Sequence, residues 1–164
     1  MKAVLDVHYR GGGAMAACVA FDSWQDSLPA EIIRAAVPPV PHYRAGRFYE
    51  RELPCLLAVL QSAAREFEII VIDGYVHLRA DAGKGLGAHL YESLSCATAV
   101  VGVAKKPLKV ADRFVTINRG RGSKPLFVSA AGCPVDYAAQ SVSGMHGPYR
   151  IPTLLRIADQ QARG

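Results

Sequence analysis

Three carboxylates stand where their local patterns ask for apolar side chains. Asp6 lies mid-strand in "AVLDVHY", flanked by apolar residues, and Asp is depleted in strands. Glu52 sits one helical turn before Leu56, so it shares the stripe that Leu53, Leu56, Leu57 and Leu60 set at helical spacing. Asp73 closes the apolar run "IIVID" and is followed by Gly74. That is the carboxyl end of a strand, where α/β folds place their sites. Singly, each acid has an ordinary explanation. Asp73 reads as a loop hydrogen bonder or helix cap, and Glu52 as a first-turn helix acid. Asp6 has fewer options, because a central strand offers a carboxylate little water. Together the three suggest a hard-cation site. Mg2+ takes oxygen ligands and is commonly held by a few carboxylates, waters and substrate phosphates. Two such ions about 4 Å apart can stabilise both the attacking and the leaving oxygen in phosphodiester cleavage.

The elements that must position these acids are legible in outline. "KAVLDVHYRGGGAMAACVAF" reads as two antiparallel strands around a Gly turn. "PAEIIRAAVPPVPHYRAG" supplies a third short strand and then a Pro-rich loop. An amphipathic helix is expected from about Leu53 to Glu66, with Pro54 in its first turn. "FEIIVIDGY" is a buried parallel strand, a second helix follows at about Gly85 to Ser95, and "TAVVGVAKK" is another buried strand. "RFVTINRGRGSKPLFVSAAG" reads as a strand pair, and "VDYAAQSVSGMH" and "IPTLLRIADQQAR" as helices. The pattern predicts an α/β class protein, a mixed central β-sheet with helices on both faces, in a single domain over 1–164.

The chain has 164 residues, 51% hydrophobic and 20% charged, which suits one globular core. No apolar run approaches the ~20 residues a membrane span needs, so no membrane partner is expected. "MKAVLDVHY" begins a strand at once and shows no export signal. Cys18, Cys55, Cys96 and Cys133 are scattered and form no CxxC pair, which suits a reducing, cytoplasmic setting and argues against structural zinc. The net charge of +5 is uneven. Residues 1–101 carry 9 Lys and Arg against 11 acids, net −2, and residues 102–164 carry 10 against 3, net +7. A basic half beside carboxylate-bearing strands suits a polyanion, and an ordinary solvated surface is the competing reading. "GKGLG" at 83–87 matches neither phosphate-loop nor dinucleotide spacing, and no HExxH or GxSxG occurs.

The acids sit in a larger ordered set. "DVHY" at 6–9, "YRAGRFYERELP" at 43–54, "IDG" at 72–74 and "GLGAHL" at 85–90 come first. "GVAK" at 102–105, "KPLFVS" at 124–129 and "YRIPTLLRIAD" at 149–159 follow. Tyr43 precedes Glu52 by nine positions and Glu52 precedes Asp73 by twenty-one. This series resembles the endonuclease V family over nearly the whole chain. The resemblance implies an RNase H-like fold and Mg2+-dependent cleavage of DNA or RNA near deaminated purines, chiefly inosine, with Mn2+ able to substitute. It implies that Asp6, Glu52 and Asp73 bind metal, and that Lys105 compensates charge at the scissile phosphate. It makes Tyr43 a wedge between strands, and places His77 and Arg79 in a loop that serves base flipping. Lys106, and Arg119 and Arg121 in the basic strip "RGRGSKP", are expected to contact nucleic acid. A monomer is expected. Three features depart from the family pattern. Its Pro-Tyr-Ile-Pro wedge reads "HYRA" here, the loop after "DG" is altered, and its Ser-Pro-Gly-His motif reads "SAAGC". The alternative is therefore a catalytically weakened nucleic-acid-binding protein on the same fold.

Overall fold

The computed structural model describes every residue of the chain except 38–41, 43 and 96. Strands β1 (Lys2–Arg10) and β2 (Gly13–Phe21) form the expected hairpin, with Arg10 opposite Gly13. The turn between them needs positive φ at both centres, and Gly11 and Gly12 supply it at +58° and +83°. Strand β3 (Glu31–Val37) pairs antiparallel on the outside of β2.

Helix α1 spans Phe48–Ala63, so it begins earlier than the sequence pattern indicates. Pro54 consequently lies inside the helix rather than in its first turn, where its missing N–H leaves the carbonyl one turn before it without that bond. The start is hard to read because Arg47 makes no side-chain cap and the first turn is aromatic and polar. The first-turn acid is Glu50, bound by Arg47 at 2.9 Å, and Glu52 is buried instead.

Strand β4 (Ile69–Asp73), a short 3-10 turn (Ala80–Ala82), helix α2 (Leu86–Ser93) and strand β5 (Ala99–Ala104) follow. Strands β6 (Phe114–Ile117) and β7 (Leu126–Ala131) form an antiparallel pair, and helices α3 (Val135–Ser143) and α4 (Thr153–Arg163) complete the chain. Among the described residues, seven strands make one mixed sheet in the order β3-β2-β1-β4-β5-β7-β6. Its centre, β1-β4-β5, is parallel, and the strands outside it are antiparallel.

Both faces are buried, which explains the continuous apolar runs in the central strands. Val4, Val71 and Val101 point to the face covered by α3 and α4, among Val142, Leu154 and Ala158. Leu5, Ile70 and Ile72 point to the face covered by α1 and α2, among Leu56, Val59 and Leu90. The alternation also fixes where polar residues project. On β1, Val7 and Tyr9 continue the α1 side, so Asp6, His8 and Arg10 project to the α4 side. Among the described residues, no helix is long and apolar enough to cross a membrane.

Candidate active site

The parallel strands β1, β4 and β5 set the position of the acids. Leu5 pairs with Ile72 across the β1–β4 ladder, so Asp6 and Asp73 are the next residues on neighbouring strands. The β4–β5 approach is very close. A Cβ on Gly102 would collide with the Gly74 carbonyl oxygen and meet Ser129 Oγ at 2.8 Å, so only glycine fits there. Buried Ser129 also accepts the Val76 N–H at 2.9 Å, fixing the chain just past Asp73. Helix α1 brings Glu52 in from the opposite side.

One open cleft of about 780 Å3 is lined by Asp6, Glu52, Asp73, Lys105 and Lys106, with Phe48 and Leu108 on its walls. The carboxylates engage protein groups within it. Asp73 Oδ2 is 2.8 Å from Lys105 Nζ. Glu52 Oε1 accepts the Tyr9 hydroxyl at 2.7 Å, and the Arg51 guanidinium stacks over the Tyr9 ring at 3.6 Å. Asp6 Oδ1 accepts the Val7 N–H at 2.9 Å. Among the described residues, no group of three or more His, Cys, Asp or Glu is gathered closely enough to hold one ion.

The electrostatics show how crowded the acids are. Burial pushes Asp6 up to about 6; the Val7 N–H and Lys105 oppose the rise, while the charges of Asp73 and Asp159 add to it. Burial likewise pushes Glu52 up to about 7, against the Tyr9 hydrogen bond and with the help of Asp6 and Asp73. For Lys105, burial acts against the charged form, yet its bond to Asp73 and the negative charges of Asp73, Asp6 and Asp159 hold its ammonium above the usual range.

Asp159 is absent from the set read from sequence. It projects from α4 near Asp6 and Lys105, and its bond to Arg163 holds it below the usual carboxylate range. A signal was available. Asp159 follows Leu155 by one turn and precedes Ala162 on the buried stripe of α4, the same misfit that marks Glu52. Three carboxylates, Asp6, Asp73 and Asp159, therefore act on one ammonium at this end of the sheet, with Glu52 opening onto the same cleft. The donors are all oxygen, buried Glu52 and half-buried Asp6 are both raised, and the negative charge is in surplus. That donor chemistry fits a hard divalent cation.

The remaining expected residues fall elsewhere. Lys106 is exposed on the cleft rim, and its carbonyl accepts the Tyr75 hydroxyl at 2.7 Å. His77 Nε2 lies 2.9 Å from the Ala130 carbonyl and Arg79 is exposed near Asp81; neither lines the acid cleft. Arg121 is exposed. Tyr43 lies outside the described residues. Arg119 requires a correction. It is 7% exposed and donates to the carbonyls of Ser143, Met145, Gly147, Tyr149 and Arg150. Its guanidinium organises the 143–150 loop and has no free face for a phosphate.

The model of the Endonuclease V family matches residues 2–121. No curated protein matches the chain in sequence. Among solved structures, the chain is similar to the endonuclease V of Streptomyces avermitilis, at 26% identity and TM-score 0.78, over 98% of this chain and 78% of that one. It is similar at 19% identity and TM-score 0.83 to Ciona intestinalis endonuclease V, over 99% and 84% of the two chains. That protein was solved in complex with a 24mer DNA containing an inosine followed by a ribo-adenosine. The catalytic domain of human endonuclease V matches at 22% identity and TM-score 0.77, over 99% and 80%. These likenesses show the fold to be RNase H-like.

Proposed function

The chain belongs to the endonuclease V family, a family of nucleases, and on that premise we propose that it hydrolyses phosphodiester bonds in nucleic acid near deaminated purines such as inosine. The observation that carries this reading is the cleft itself: Asp6, Glu52 and Asp73, from three separate elements, open onto one cavity with Lys105. The Ciona intestinalis relative, bound to inosine-containing DNA, supports the substrate class.

Asp6, Glu52 and Asp73 would hold Mg2+ or Mn2+. Such an ion supplies Lewis-acid stabilisation for the charge that builds on a phosphodiester under attack. The chain's own groups account for the rest. Tyr9 orients Glu52 by its hydrogen bond. Lys105 keeps its proton and offers positive charge to a substrate phosphate directly beside Asp73. In-line attack by water, with the 3′ oxygen leaving, would give a 5′-phosphate and a 3′-hydroxyl.

The test is cleavage of inosine-containing single-stranded and duplex DNA and RNA with Mg2+ or Mn2+. Site-specific cleavage is expected, and Asp6→Asn and Asp73→Asn should each abolish it while leaving the fold intact by circular dichroism. Binding without cleavage of any substrate would favour the weakened binding protein. Full activity in both variants would show the metal to be held elsewhere.

A further inference from the structure

A second concavity opens beside the acids, on the α4 side of β1. It has a volume of about 330 Å3, and its polar side chains are His8, Arg10, Arg34 and Arg163. Among the described residues, no carboxylate side chain lines it. Small residues of the β1–β2 turn and β3 leave the space open, and Met15 lies on its floor.

The sheet register fixes where this pocket stands relative to the cleft. Asp6 pairs with Ala17, and Ala17 pairs with Arg34. Arg34 is therefore two strands from Asp6 in the same cross-strand row, about 10 Å away at ~4.8 Å per strand. His8 and Arg10 project from the same face of β1 as Asp6, toward its carboxyl end. The pocket thus stands to the side of the cleft, on the face of β1 that carries Asp6, and shares no lining residue with it.

The three arginines are not equally occupied. Arg163 is bound to Asp159 at 2.9 Å, and one nitrogen of Arg10 donates to the Arg163 carbonyl at 2.7 Å. Those two contacts are what the C-terminal end of any helix attracts. They do not account for Arg34, which is exposed on β3 with one guanidinium nitrogen beside Gly164 and makes no ion pair among the described residues. The rest of the Arg10 fork is likewise without an acid. Two guanidinium groups with spare donors on one concave surface suit a phosphate.

We propose that this pocket binds a backbone phosphate of the substrate strand next to the one lying over the acids, and so directs that strand off the cleft across β1, β2 and β3. The proposal rests on the nuclease reading above.

The experiment measures binding of two single-stranded inosine oligonucleotides by fluorescence anisotropy, on the non-cleaving Glu52→Gln background. One spans only the cleaved position and the other extends several nucleotides to both sides. Arg34→Gln should weaken the long strand roughly fivefold and reduce its salt slope by about 0.7, the loss of one single-strand phosphate contact. It should leave the short strand and the melting temperature unchanged, and Arg34→Lys should recover part of the loss. Inorganic phosphate serves as the control, followed by amide shifts at Gly11, Gly13 and Met15. It should bind far more weakly than the strand. Tight phosphate binding lost in Arg34→Gln would make this a free-anion site and overturn the strand contact. Equal affinity of Glu52→Gln with and without Arg34→Gln for the long strand, when the protein carrying Glu52 cleaves, overturns the pocket alone. If the protein neither binds nor cleaves nucleic acid, the nuclease reading fails and the pocket falls with it.

Discussion

Glu52 is held in the fold at the expense of its charge. Its carboxyl is raised from the usual range to about 7, so folding favours the neutral acid. The stability associated with that proton is present in full below the ordinary carboxylate range, near pH 4. It is lost as pH rises through about 7. Glu52→Gln keeps the shape and can still accept the Tyr9 hydroxyl, but it has no charge to bury. The variant should match wild type near pH 4 and exceed it at pH 8 by on the order of 2–3 kcal/mol in metal-free buffer. Denaturant unfolding at both pH values measures this, and a gap that does not widen with pH would contradict it. Mn2+ should then stabilise wild type and leave Glu52→Gln nearly unchanged, which separates metal binding from activity. Tyr9→Phe should act in the opposite sense. Without the hydroxyl the Glu52 oxygen loses its donor, and about 1–3 kcal/mol should disappear at pH 8. Asp6, Glu52 and Asp73 were legible from sequence because each breaks an apolar pattern. Asp159 breaks one too, but beside its partner Arg163 it passes for an exposed helix pair.

Elements decide which charges are available, and here sequence is the weaker guide. The hairpin, the central strands and helices α2 to α4 follow from periodicity and glycine placement, because their signals are local. The start of α1 is not local, since its first turns include residues that reach the sheet: Arg51 stacks on Tyr9 of β1. Arg119 shows the same limit. In "NRGRGSKP" it and Arg121 are equivalent basic residues, yet the five carbonyls that occupy Arg119 lie about 24 to 31 positions further on. Their variants should therefore differ in kind. Arg119→Met leaves those carbonyls without their donor and should cost roughly 3 kcal/mol or more of stability, with the folded protein binding nucleic acid as before. Arg121→Gln should leave stability within about 0.5 kcal/mol and weaken binding. Urea unfolding and anisotropy on the same two proteins decide it, and a weakened but fully stable Arg119→Met would restore Arg119 to the interface.

At the scale of the whole molecule, the acids and the basic residues must serve one ligand. A polyanion approaching Asp6, Glu52, Asp73 and Asp159 is repelled unless positive charge lies around them. The excess of +7 over residues 102–164 provides it, with Lys105 and Lys106 in the cleft and Lys109, Arg113, Arg121 and Lys124 exposed beyond. Attraction of this sort works by releasing counterions, so it should fade steeply with salt. If Lys106, Lys109, Arg113, Arg121 and Lys124 each meet one phosphate of a single strand, log K should fall with log salt at a slope of about −3.5, at ~0.7 per contact. Affinity should then drop roughly a hundredfold between 50 and 200 mM salt. A series of anisotropy titrations gives the slope directly. A flat response would mean that the basic half is a solvated surface and that the strand is held some other way. A slope near the expected value that declines by one contact with each Lys or Arg removed would trace the path of the strand toward the acids.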